Sequence, residues 1–333
     1  MDRTPAPVAR RRAADELFQR AIVAFADGDH RQAEHDWSLA CQEFAEMGLE
    51  DRVIDCTVKL GLVYRAVHRF DEAEAAYTRA LAYYSAHGMH RLVANCTANL
   101  GNVFQSTRRF DEAEAAFTQA RAYFAAHDLH HEAATCAVNL GDLFWDAERG
   151  EEAQAAYTAA LEYYRAHNLH RQVADCQMNL GLVLWGTSQL AEAEVAYSRA
   201  RDFYRAQNLQ REVASATVSL GGIYATSERY TLAEEAYMSA IEYYEAHDVR
   251  QRVADCAVGL ALVYRETGRL AEAESAYGAA RDLYSELELP RQVADCLVAL
   301  ADIYAEVGRI EAADSAYTQA RTNYASTSRP VQQ

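Results

Sequence analysis

Residues 91–130 read RLVANCTANLGNVFQSTRRFDEAEAAFTQARAYFAAHDLH, and the figure Leu100-Gly101-Asn102-Val103-Phe104 at their centre decides the fold. It returns every forty residues: LGLVY at Leu60–Tyr64, LGDLF at Leu140–Phe144, LGLVL at Leu180–Leu184 and LGGIY at Leu220–Tyr224. It continues as LALVY at Leu260–Tyr264 and LADIY at Leu300–Tyr304. A fixed period of this size denotes a stack of equal supersecondary units, each burying its apolar face on its neighbours. Within 91–130, Thr97, Leu100, Gly101 and Phe104 fall on one side of a helix at about 100° per residue. Ala113, Phe117 and Ala120 form the apolar stripe of a second helix, with Asp111 and Glu114 reading as a capping box at its start. Ser-Thr-Arg-Arg between them is a tight connection, so the unit is a helical hairpin. A glycine inside a helix costs about 1 kcal/mol relative to alanine. Its return at 61, 101, 141, 181 and 221, with Ala261 and Ala301 completing the register, predicts close helix–helix approach against the rings at positions such as 104 and 117.

The expected organisation follows the period. Residues 1–10 read as a disordered lead-in, and 11–50 as a degenerate capping repeat. In the cap, Gly28, Ala33, Trp37 and Ala40 match the pattern, but Arg20 stands where leucine belongs. Seven repeats follow at 51–90, 91–130, 131–170, 171–210, 211–250, 251–290 and 291–326, then a disordered tail at 327–333. The fold expected is all-α: a solenoid of about eight helical hairpins.

Composition narrows the partners. Acidic residues outnumber basic ones by 49 to 32, for a net charge of −17, and Lys59 is the single lysine. That balance repels nucleic acid and anionic membrane surfaces and favours neutral or basic partners. No apolar run reaches the ~20 residues of a membrane span, and Arg10–Arg12 are not followed by the apolar stretch of a secretory signal, so the chain reads as cytoplasmic.

The pattern strongly resembles the tetratricopeptide repeat, whose signature of Leu-Gly, an aromatic, then Ala, aromatic and Ala is met here by Leu100, Gly101, Phe104, Ala113, Phe117 and Ala120. The common repeat of that family is shorter and carries a proline after its second helix. The longer unit here is similar to those of kinesin light chain and of bacterial peptide-responsive regulators. The resemblance implies a right-handed superhelix with first helices lining a concave groove that binds protein or peptide. It also implies a role for the asparagines preceding the Leu-Gly pair, Asn99, Asn139 and Asn179, which would hold the backbone of an extended peptide.

On the helical wheel Asn99 shares a stripe with Asn95 and Asn102, opposite the Leu100/Phe104 face, and Lys59 occupies the same column one repeat earlier. An amide both donates and accepts, which suits main-chain recognition; a merely solvated polar face is the competing reading. Trp145 and Trp185 share a column on the flank of that stripe. They read either as anchors for partner side chains or as wedges against the next hairpin. Asp142 and Asp146 lie near the tryptophans and would attract a basic residue; the column Asp55, Asp175, Asp255 and Asp295 reads either as an acidic groove suited to a basic segment or, more favoured, as local pairing at helix starts. Six cysteines (Cys56, Cys96, Cys136, Cys176, Cys256, Cys296) share one register with Ala216, as small buried side chains would. The pairs His87/His90, His127/His130 and His167/His170 read as helix-end decoration. No nucleophile elbow, zinc-protease motif or phosphate-binding glycine-rich loop is present. No catalytic residue, metal or cofactor is therefore expected. The function expected is an adaptor that binds an extended segment. The alternatives are a scaffold self-assembling through its last repeat and, less favoured, a ligand sensor or enzyme.

Overall fold

A computed structural model describes residues 7–327; residues 1–6 of the lead-in expected at 1–10 and residues 328–333 of the tail expected at 327–333 lie outside it. The chain divides into two compact units, 1–168 and 169–333. The first holds α1 (Pro7–Ala26), α2 (His30–Glu46), α3 (Glu50–Ala66), α4 (Phe70–Ala86), α5 (His90–Ser106), α6 (Phe110–Ala126), α7 (His130–Asp146) and α8 (Gly150–Ala166). The second holds α9 (His170–Gly186), α10 (Leu190–Ala206), α11 (Gln210–Thr226), α12 (Tyr230–Ala246), α13 (Arg250–Glu266), α14 (Leu270–Glu286), α15 (Pro290–Glu306) and α16 (Ile310–Thr327). Each unit is a run of four helical hairpins, and the described residues contain no strand, as the period predicts. Residues 7–10, expected in the lead-in, form the first turn of α1.

The Leu-Gly register sets the packing inside each hairpin. A methyl group on Gly101 would lie 2.7 Å from the Phe117 ring, and one on Gly141 would lie 2.7 Å from Tyr157. Both contacts are closer than packed carbon atoms tolerate. The ring sits flat on bare backbone. Phe117 then joins Ala113, Leu140, Leu143 and Ala156 in one apolar cluster. The shared cysteine register is buried throughout, and Ala216 fills it with no exposure. Desolvation pushes the Cys96 thiol up to about 12 and Cys136 to about 11, so both stay protonated in a small apolar niche.

The helix starts differ from expectation. Asp111 is not the cap of α6: the helix begins at Phe110, its N-cap is Arg109, and no side chain caps it. The chain turn already fixes the entry. Arg109 N–H donates to the Phe104 carbonyl at 2.8 Å and Arg108 N–H to the Gln105 carbonyl at 2.9 Å, closing the preceding helix in a Schellman motif with Arg108 at φ 60°. The Arg109 side chain instead lies over the Phe104 ring at 4.3 Å and bonds Glu112 on its own helix and Glu74 on the preceding hairpin, both within 2.7 Å. The same guanidinium bridge recurs at Arg69 and Arg149 in the first unit, and Arg269 forms it in the second. Arg229 and Arg309 keep its inter-hairpin half.

Candidate binding cleft

Helices α3, α5 and α7 of the first unit bring one face of their sequence together, with α5 and α7 in contact. The cleft they line has a volume of about 450 Å³. Its polar lining is Lys59 from α3, Asn95, Asn99 and Asn102 from α5, and Glu132, Thr135 and Asn139 from α7. Its apolar lining comes from Val58, Leu62 and Leu92, with the rings of Tyr84 and Phe124 from the second helices. Leu92 lies on the same stripe as the cleft asparagines: Leu92, Asn95, Asn99 and Asn102 follow at spacings of three and four. That spacing was present in the sequence, but a leucine beside polar residues carries no signal until its 38 % exposure is known.

The asparagines are not equivalent. Asn102 donates its amide to the Ala98 carbonyl at 3.2 Å, one turn back on its own helix. Asn95, Asn99 and Asn139 are half-buried and hydrogen-bond to no described residue, and Lys59 likewise has no described partner. The reason is clearest at Asn95. In three of the four repeats with aspartate at this register, a tyrosine of the paired helix approaches closely: Tyr204 donates to Asp175 at 2.7 Å, Tyr284 to Asp255 at 2.7 Å and Tyr324 to Asp295 at 2.5 Å. Tyr84 and Asp55 are further apart, at 3.4 Å. Opposite Asn95 the ring is Phe124, which has no hydroxyl to offer. The acidic column is thus held by tyrosines on the second helix, twenty-nine residues on, and not only by pairing within its own helix. Glu132 at the rim is neutralised by Arg91 at 2.7 Å.

The flanking residues are committed elsewhere. Asp146 accepts from Gln105 at 2.6 Å, and Asp142 accepts from the Tyr157 hydroxyl. Desolvation raises the Asp142 carboxyl above its usual range, aided by the nearby Asp146 charge and opposed by the Tyr157 bond. Trp145 is half-buried on α7. In the second unit Trp185 is a wedge: its indole lies on Gly222 of α11, where a methyl group would stand 2.3 Å from the ring, and its Nε1 donates to Thr226 at 3.3 Å. Asn179 is half-buried on α9 of the same unit. The second unit has its own smaller cleft, about 350 Å³, between α13 and α15, lined by Val258, Leu262, Arg265, Asp295 and Asp302. The helix-end histidines have a local role. The rings of His87 and His127 stack on Tyr83 and Tyr123 at 4.1 Å, and their Nδ1 atoms donate to the carbonyls of those tyrosines.

The sixteen helices of the described residues, paired in hairpins of which five pack a ring on a helix glycine, define a helical-repeat protein. A tetratricopeptide repeat model matches residues 53–126, 93–166, 132–206, 212–286 and 252–326, and the chain belongs to that family. No curated protein matches the chain. Among solved structures, the tetratricopeptide sensor-bearing signal-transduction ATPase with numerous domains of Pyrococcus horikoshii aligns with a TM-score of 0.73 at 13 % identity. That alignment covers 93 % of this chain and 47 % of the ATPase. A Rap protein complexed with competence and sporulation factor aligns at 0.58 and 14 % identity, covering 88 % of this chain and 75 % of that one. The apo quorum sensor NprR of B. thuringiensis aligns at 0.55 and 14 % identity, covering 93 % and 98 %. At these identities the likeness is one of fold. Among the described residues no helix is long and apolar enough to cross a membrane.

Proposed function

We propose that this chain is a protein-interaction adaptor that binds an extended polypeptide segment in the cleft of its first unit. The observation that carries the reading is the set of half-buried amides at Asn95, Asn99 and Asn139, which face one cleft with no internal hydrogen-bond partner. Polar side chains in that position normally find partners inside the fold, and an extended main chain offers a donor and an acceptor at each residue. Leu62 and Leu92 supply apolar contact for the segment's side chains, and Lys59 can take a carbonyl or carboxylate. The net charge of −17 steers basic segments towards the surface and does not oppose neutral ones. A Rap protein of related fold has been solved with competence and sporulation factor bound, which is consistent with a ligand-binding role for such hairpin stacks. The segment binds without covalent chemistry, in a cytoplasmic setting.

The test is panning of a random peptide display library against the chain, followed by titration of a selected peptide. Asn99→Ala with Asn139→Ala removes hydrogen bonds worth about 0.5–1.5 kcal/mol each, so affinity falls about tenfold while the melting temperature holds. Equal affinity for wild type and variant sinks the cleft assignment.

A further inference from the structure

The last helix of the described residues, α16, exposes a seam that α14 buries. In α14 the stripe is Leu270, Glu274, Tyr277, Arg281 and Tyr284, and α15 covers it, leaving Tyr277 2 % and Tyr284 5 % exposed. In α16 the same stripe is Ile310, Asp314, Tyr317, Arg321 and Tyr324, with Ile310 58 %, Tyr317 41 % and Tyr324 37 % exposed. The hydroxyls of Tyr317 and Tyr324 are held by Asp302 and Asp295, both at 2.5 Å, so the rings are fixed in place. At the second position of the stripe, Glu234 and Glu274 each receive the arginine of the following turn, Arg269 and Arg309. Asp314 holds that register with no described partner, and Arg321 has none either.

The stripe is self-complementary. Its spacing of four, three, four and three keeps all five side chains within about 40° of one line on the helix, the seam geometry of paired helices. Reversed upon itself about Tyr317, it sets Ile310 against Tyr324 and brings Asp314 within one residue, about 1.5 Å of helix rise, of Arg321, close enough for the two side chains to pair, twice over. The start of another copy is a poor occupant. The turn residue in the register of Arg269 and Arg309 is Asp29, which would meet Asp314 as a like charge, and α1 carries Arg20 in the leucine register, bound to the fully buried Asp36. We propose that two copies of this chain associate through α16, antiparallel about a two-fold axis at Tyr317, with reciprocal Asp314–Arg321 pairs flanking the tyrosines. A two-fold contact satisfies both charges with one patch and leaves no unmatched surface.

Sedimentation of the full chain over a micromolar to submillimolar range tests this. A reversible monomer–dimer equilibrium is expected. Asp314→Arg and Arg321→Asp each weaken it about tenfold or more by placing like charges together, and the double exchange restores it to within about threefold. Far-ultraviolet circular dichroism of all three variants should match wild type, since both positions are exposed. A monomer throughout, a larger assembly, a dimer indifferent to the single changes, or a double variant that stays dissociated overturns the proposal.

Discussion

At Asp142 one residue carries a measurable pH signature. Its carboxyl is desolvated and sits above its unfolded value, so the folded state binds the proton more tightly than the unfolded chain does. The associated stability is fully present below the unfolded value of about 3.9 and is lost as pH rises through the folded one. Asp142→Asn keeps an acceptor for the Tyr157 hydroxyl and removes the charge. The variant is therefore expected to melt higher than wild type at neutral pH, with the difference vanishing in acid; calorimetry across pH checks it, and a lower melting point at neutral pH contradicts the account. The residue scale is also where sequence reading was least able to assign partners. Asp146 and Trp185 look alike as polar and aromatic decoration on a helix flank. One is taken by Gln105 and the other by Gly222 and Thr226, each about forty residues away.

At the scale of the element, hairpins are closed by turn backbone, and within each unit most are bolted to the preceding one by an arginine. Arg109 joins Glu74, Glu112 and Phe104 in one geometry, and the Arg109 guanidinium holds Glu112 below the usual carboxylate range. Arg109→Ala should lower the denaturation midpoint by a modest amount. Part of the loss should disappear at high salt, because exposed ion pairs are screened, while the part due to the ring contact persists. Denaturant titration at low and high salt separates the two; a loss wholly abolished by salt would mean that the ring contact contributes nothing. Arg109 was visible in the sequence only as half of a tight connection. Its bridge spans thirty-five residues to Glu74, a separation with no helical meaning that becomes short only when hairpins stack.

For the whole molecule, the consequence of repeat architecture is that stability is local. Within each unit a hairpin rests on its neighbours, so damage spreads by nearest-neighbour contact and not through one common core. Phe117→Ala empties a fully buried site and costs about 3–5 kcal/mol. Hydrogen exchange should accelerate in α5, α6 and α7, with α13–α16 little changed. Uniform acceleration along the chain would contradict local coupling. By itself the forty-residue period determined the helices, their pairing into hairpins, the small-residue register and the family. These follow from local periodicity and from sterics that repeat identically in every unit. Only the tertiary structure decided which polar groups are already satisfied. Asn102 turns back to its own helix while Asn99 and Asn139 do not, and the acidic column is held by tyrosines across the hairpin. Helical spacing sets a side chain's direction, but a hydrogen bond requires a partner within about 3 Å, and that distance exists only once the helices have packed.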